Sequence, residues 1–277
     1  MGYSSPIGGQ SRKVVDSLLW IHSAPFSRFR FVSFGARMSV MKASADSKNY
    51  VVFAAIPYDE EMIGKLTSVI GDSDWFKNIT HLIIPDTEHT MAVLGYKERL
   101  PNVKIVGMES CNEKIDPLID FKFGAQTANK AYDSAEQLKD VFPKMDEKDS
   151  ELFDSFGFCY IPGHPNKELT VFQKSTGSLV VGDLLFNMQS SGKKFPFTDY
   201  SQEAYGGKDP TGFISSKLTY NGFLVKKLAG ATLSGPQAAV GIQEIYKWNF
   251  SRIIMCHGDL IERSAKDIFK EIFAPAF

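Results

Sequence analysis

The stretch Thr80 to Gly107, THLIIPDTEHTMAVLGYKERLPNVKIVG, decides the fold. It continues the largely apolar run Ile79 to Ile84, which suits a strand buried on both faces of a parallel sheet. Pro85-Asp86-Thr87-Glu88-His89 breaks that run with polar and turn-forming residues, after which Met91, Val93, Leu94 and Tyr96 fall at helical spacing. Asn102 to Val106 then predicts another strand. This order places the polar loop at the carboxyl end of a core strand, where open α/β sheets put their sites.

Upstream, Leu18 to His22, Phe29 to Phe34, Arg37 to Ala43 and Tyr50 to Ile56 are rich in β-branched and aromatic residues and predict an antiparallel meander. Pro57 stops the last of these, and Glu60 to Ile70 carries Met62, Ile63, Leu66, Val69 and Ile70 at helical spacing. Downstream, the reading gives a short helix over Cys111 to Leu118, a strand over Ile119 to Phe123, and a polar helix or loop through Lys148. Strands follow at Ser155 to Ile161, Glu168 to Gln173 and Ser178 to Val181, with a turn at Thr176-Gly177. Helices are expected over Ile214 to Leu228, Gln237 to Trp248 and Ser264 to Phe273, with a buried strand over Arg252 to Cys256. Two sheets result, in a single domain over residues 16–277 that follows a flexible N-terminus, residues 1–15.

Composition narrows the class. The 277 residues are 43% hydrophobic and 13% aromatic, which supports a large core and excludes disordered and fibrous chains. Lys and Arg total 31 against 32 acidic residues, so no global charge draws the chain to nucleic acid or to an anionic membrane. Cys111, Cys159 and Cys256 are odd in number and far apart, which fits a reducing compartment. No window has the roughly 18 to 20 apolar residues of a membrane span, and the N-terminus lacks the apolar core of a signal peptide. Pro6 stands where a myristoylation pattern at Gly2 needs Ser or Thr. A cytoplasmic location is expected, and the oligomeric state is not legible.

The histidines carry the chemical signal. His89, His164 and His257 each follow an expected strand end, in loops that also hold carboxylates or glycines. Imidazoles and carboxylates from separate strand-end loops suit a divalent transition metal. His22 and His81 lie inside apolar strands and read as packed, hydrogen-bonded core residues. A purely structural account stands beside the metal reading. Asp86 or Thr87 would cap the helix beginning near His89, Glu88 would favour its positive end, Gly182-Asp183 would be a turn, and His257-Gly258 would end a strand.

Taken in order, Asp86-x-Glu88-His89, Pro162-Gly163-His164, Gly182-Asp183-Leu184-Leu185-Phe186 and Cys256-His257-Gly258 resemble the successive motifs of the metallo-β-lactamase superfamily. Thr80 to Gly107, with Met38 to Pro57, resembles more closely an uncharacterised branch of it described as a domain of unknown function. The resemblance covers residues 16–275 and implies an αββα sandwich, two mixed β-sheets flanked by helices. Registered on His89, the first motif His-x-His-x-Asp-His falls on Ile84, Asp86, Glu88 and His89, so the first histidine is missing. The resemblance makes His164 the ligand of the third motif, Asp183 the bridging carboxylate and His257 the last ligand.

These assignments imply a metal site of Asp86, Glu88, His89, His164, Asp183 and His257, holding one or two ions of zinc, iron or manganese. One subsite would have Asp86, His164 and Asp183, and a tighter one Glu88, His89, Asp183 and His257. The implied activity is hydrolysis of a small ester, thioester, amide or phosphodiester by a metal-bound hydroxide, with Glu88 and Asp183 in catalytic roles. The rivals are a non-catalytic protein of this fold binding a ligand or partner, and a di-iron redox protein, to which a carboxylate at Asp86 is similar. The long loop Asn187 to Pro210 is expected to cover the pocket, where Phe186, Phe195, Phe197, Tyr200 and Tyr205 either favour an uncharged or lipophilic substrate or simply fill a core, and Lys193-Lys194 either meet a phosphate or, as such pairs mostly are, stay solvated.

Overall fold

In a computed structural model the chain is described over residues 2–3, 6–28, 32–33, 35–188, 218–220, 222–233 and 237–277. The first strands are β1 (Gly2–Tyr3), β2 (Gln10–Val15), β3 (Leu19–Ala24), β4 (Phe26–Arg28), β5 (Val32–Ser33), β6 (Ala36–Lys42) and β7 (Tyr50–Phe53). Then come α1 (Glu60–Ile70), β8 (Ile79–Ile83), α2 (Val93–Arg99), β9 (Lys104–Met108), β10 (Phe121–Phe123), β11 (Ala131–Tyr132), α3 (Ala135–Leu138) and α4 (Glu147–Ser155). The rest is β12 (Phe156–Ile161), β13 (Glu168–Gln173), β14 (Ser178–Val181), α5 (Phe223–Thr232), α6 (Ala238–Lys247), β15 (Arg252–Met255) and α7 (Ala265–Ile272).

Both main sheets are mixed, as the resemblance implies. One has the order β10-β9-β8-β7-β6-β3-β2, the other β11-β12-β13-β14-β15, and a small sheet joins β1, β4 and β5. β7 to β10 run parallel and β2, β3, β6 and β7 antiparallel, so three of the four early strands form the expected meander, whereas of Phe29 to Phe34 the described part, Val32–Ser33, pairs with β4 in the small sheet and the rest lies outside the described residues. In the second sheet β15 runs parallel to β14 and the other pairs are antiparallel.

Period-2 alternation sorts the side chains of that second sheet. Phe156, Phe158 and Tyr160 of β12, Leu169 and Val171 of β13, Val180 of β14 and Ile254 of β15 join the core shared with the first sheet. Their neighbours Cys159, Ile161, Phe172, Leu179, Val181, Ile253 and Met255 face a second core formed with α5, α6 and α7. On the outside of the first sheet α1 packs against β2 and β3. Asp59 caps α1 by accepting from the Met62 amide, Glu60 and Glu61 occupy its first turn, and Gly71 ends it at a φ of 79°.

Several elements differ from the reading of the sequence. Gln10–Val15, expected within the flexible residues 1–15, is the edge strand β2, whose polar residues are tolerated because only one of its sides pairs, with β3. The helix expected over Cys111 to Leu118 is a single 3-10 turn, Asp116–Leu118, set by Asn112, whose side chain accepts from the Lys114 and Ile115 amides. Of the helix expected over Ile214 to Leu228, the part at 214–217 lies outside the described residues, and α5 begins at Phe223. No helix among the described residues is long and apolar enough to cross a membrane.

His22 and His81 are core histidines, as expected. His22 donates from Nε2 to the Gly8 carbonyl, and burial lowers its pKa to about 4. His81 donates from Nε2 to Asp149 Oδ1 at 2.9 Å, while Lys104 Nζ donates to Asp149 Oδ2 at 2.6 Å. Burial opposes ionisation of Asp149, but these bonds outweigh it and hold the carboxyl at about 2. A folded pKa below the unfolded value of about 3.9 stabilises above pH 4 and ceases to as pH falls toward 2. Asp149→Asn is therefore expected to lose about 2 kcal/mol of stability at pH 7, with the gap to wild type closing between pH 4 and pH 2 in urea melts.

Candidate metal centre

The site forms at the carboxyl ends of β8, β12, β14 and β15, where four chain segments turn. After β8, Asp86 is fully buried and its Oδ1 accepts from the backbone amides of Glu88 at 2.8 Å and His89 at 3.0 Å. That tight turn realises the capping role one step early, since α2 starts only at Val93. The same carboxylate receives His89 Nδ1, 2.8 Å from each oxygen. The ring is thereby fixed with Nε2 directed away from Asp86.

After β15, His257 is anchored in the same sense. Its Nδ1 donates to the Gly35 carbonyl at 2.6 Å, and Phe186 stacks on the ring with planes 10° apart and centroids 5.5 Å apart. The two Nε2 atoms then stand 3.3 Å apart, and His257 Nε2 lies 3.3 Å from Asp183 Oδ1. Among the described residues, His89, Asp183 and His257 offer ligand atoms that all lie within 4.8 Å of one another.

The donor set fits a cation. Asp183 Oδ1 is buried without a hydrogen-bond donor, because the approach of His257 has ion-pair distance but not hydrogen-bond direction. Two imidazoles whose Nδ1 atoms already donate present Nε2 lone pairs toward each other and toward that oxygen. Only a shared proton or a metal relieves such an arrangement. Without metal the proton resides on His89: burial disfavours the charge, but the Asp86 carboxylate raises the pKa to about 10. Burial would likewise raise Asp183, yet the imidazoles of His257, His89 and His164 hold it below the ordinary carboxylate range.

Glu88 and His164 stand differently. Glu88 is exposed and lines the pocket into which His89, Asp183 and His257 open. His164 is buried and its Nδ1 accepts the Asn166 amide at 3.2 Å. Burial lowers its pKa. Asp86 thus contacts the cluster directly and His164 is linked to it through Asn166, while Glu88 lines the pocket mouth.

Three residues escaped the reading of the sequence. Glu168, fully buried at the start of β13, accepts the Gly182 amide at 2.6 Å and the Asp183 amide at 3.0 Å and so shapes the turn that presents Asp183. Burial, then the nearby Asp86, push its carboxyl well above the usual range. Gly182 makes this packing possible, because a Cβ there would meet Asp86 Oδ2 at 2.6 Å and Pro85 Cβ at 2.8 Å. Asn166 donates to Asp183 Oδ2 at 2.6 Å, and Arg37 donates to the carbonyls of Met255 and Gly258 on either side of His257. A charged residue opening an apolar strand was the one signal for Glu168; Asn166 and Arg37 had none. Phe195, Phe197, Tyr200, Tyr205 and Lys193-Lys194 lie outside the described residues.

With this geometry in view, solved structures establish the metallo-β-lactamase fold. A metallo-β-lactamase from Pseudomonas aeruginosa in its mono-zinc form is 10% identical, with 98% of this chain and 96% of that one covered at a TM-score of 0.52. One from Erythrobacter litoralis is 11% identical, with 96% and 95% covered at 0.55. A flavo di-iron protein variant from Thermotoga maritima is 11% identical, and this chain, covered over 98%, spans 62% of it at a TM-score of 0.58. No family model and no curated protein matches the sequence.

The contact between Asp86 and His89 Nδ1 makes a direct test of how the site is held. Asp86→Asn is expected to weaken zinc binding by about 10- to 100-fold in a chelator-competition titration while the far-UV spectrum stays native.

Proposed function

We propose that this protein is a metal-dependent hydrolase in which His89, Asp183 and His257 hold one divalent transition metal: zinc, iron or manganese. The observation that carries this reading is the pair of Nε2 atoms 3.3 Å apart, with the donor-less Asp183 Oδ1 3.3 Å from one of them, opening into a pocket. A cation bound there would acidify a water and polarise the reacting carbonyl or phosphoryl oxygen of an ester, thioester, amide or phosphodiester. Asp86 and the Gly35 carbonyl orient the two imidazoles, and Glu168 and Asn166 orient Asp183. Glu88, at the mouth, accepts a proton or adds an oxygen to the ligand set. Residues 16–277 act as one domain in this reading, and three free cysteines accord with a cytoplasmic location.

One ion rather than two follows from His164. Its Nδ1 accepts the Asn166 amide, its ring is outside the group of mutually close ligand atoms, and Ile84 stands where the first histidine of the motif would be. The subsite expected from Asp86, His164 and Asp183 is thereby assigned a supporting role. The same two features favour a second reading, a non-catalytic protein of this fold that binds a ligand or partner. A di-iron redox role would need the second ion.

Metal analysis of protein reconstituted with zinc, manganese or iron is expected to give about one equivalent per chain, falling to less than about a tenth in His257→Ala. His164→Gln is expected to keep about one equivalent and to lower the melting temperature by several degrees. Chelation is expected to abolish turnover of generic ester and phosphodiester substrates. Less than about a tenth of an equivalent in wild type would overturn the proposal, and one equivalent without turnover would select the non-catalytic reading.

A further inference from the structure

A second cavity, apart from the metal centre, opens at the amino ends of β8 and β9. Its volume of about 580 Å³ falls in the range of small-molecule sites, roughly 300–1,000 Å³. Thr80, at this end of β8, is about 20 Å along the extended chain from Asp86, so the two sites lie at opposite edges of the first sheet.

Lys77, Arg99, Lys104 and Lys148 line this cleft, against the carboxylates of Asp146 and Asp149. That is a local excess of two positive charges in a chain whose formal net charge is −1. Both carboxylates are already used. Asp146 accepts the Asp149 amide on Oδ1 and Lys104 on Oδ2. Asp149, fully buried, accepts His81 on Oδ1, and Lys104 and the Asp146 amide on Oδ2. A polar network with every carboxylate oxygen satisfied makes a rigid floor.

The other three cations remain for a ligand. Lys148 has no hydrogen-bond or ion-pair partner among the described residues, and it stands in the first turn of α4, where the helix dipole disfavours a cation. Lys77 is 3.5 Å from Asp74, but both side chains are exposed and such a pair contributes little. Arg99 lies over the Tyr58 ring at 4.1 Å and donates to the Gly95 carbonyl at 3.1 Å, which orients its planar fork and leaves further N–H groups. Three such cations match a dianion better than a single carboxylate. A phosphate monoester carries about −1.5 to −2 at pH 7 and offers three acceptor oxygens. Asn78 and Asn102, also on the cleft, add amide donors and acceptors suited to hydroxyl groups.

We propose that this cleft binds a small sugar phosphate, with the phosphate among Lys77, Arg99 and Lys148 and the hydroxyls on Asn78 and Asn102. Binding there is independent of the metal centre.

The test titrates isotope-labelled, chelator-treated protein with glucose-6-phosphate, glucose and inorganic phosphate, read by amide chemical shifts in NMR. Glucose-6-phosphate is expected to bind with a Kd of about 1 mM or below, and about tenfold or more tightly than glucose or phosphate. The amides of Lys77, Asn78 and Lys148 are expected to shift, and those of His89 and His257 to stay in place. Lys77→Gln combined with Lys148→Gln, both at exposed positions, is expected to weaken binding by about tenfold or more. Lys227→Gln, on α5 and away from the cleft, is expected to leave it unchanged. No binding, equal binding of glucose or of phosphate alone, full affinity in the double variant, or tighter binding of a phosphopeptide or an oligonucleotide overturns the proposal. Because the titration needs no metal, any of these results leaves the hydrolase reading intact, and protein that takes up no metal but binds the sugar phosphate overturns that reading alone.

Discussion

A buried guanidinium ties the two main sheets together where the site forms. Arg37, on β6 and 2% exposed, donates at 2.8 Å to the Met255 carbonyl and at 2.6 Å to the Gly258 carbonyl. A charge this deep is tolerated only when its donors are satisfied, and here the acceptors are backbone groups at the end of β15. The bonds span 218 and 221 residues of sequence and bracket His257. The position of that ring relative to the first sheet therefore follows from a bond made in the seam of the sandwich.

Around that clamp each metal-capable side chain is held by its remote atom. Asp86 holds His89, the Gly35 carbonyl holds His257, and Asn166 holds Asp183 through Oδ2. In both clustered imidazoles Nδ1 donates outward and Nε2 faces in, whereas in His164 Nδ1 is the acceptor. A hydrogen-bonding partner thus separates rings poised to ligate from one that braces the turn. Buried carboxylates share the load in the same way: Asp183 stays ionised among imidazoles, while Glu168, beside Asp86, is pushed toward its neutral form.

Much of the architecture was legible because its signals are local. The apolar strands β8, β12, β13, β14 and β15, the capped helix α1 and the closing helix α7 each announce themselves through periodicity or caps within about ten residues. The edge strand Gln10–Val15 escaped because pairing with β3, not hydrophobicity, makes it a strand. Residues Asp86, Glu88, His89, His164, Asp183 and His257 all follow strand ends, and among the described residues His89, Asp183 and His257 place ligand atoms within 4.8 Å of one another with Asp86 bonded to His89.

By itself the sequence determined which residue types stand at which strand ends, that the first motif has Ile84 in place of a histidine, and that apolar alternation builds two sheets around a core. Only the tertiary structure decided which of those residues face each other. That choice depends on hydrogen bonds between segments up to 222 residues apart, such as His257 to Gly35, which no local pattern encodes. For the same reason Asp86 became the partner of an imidazole and His164 a brace, while Glu168 and Arg37, unmarked in the chain, came to hold the cluster in place.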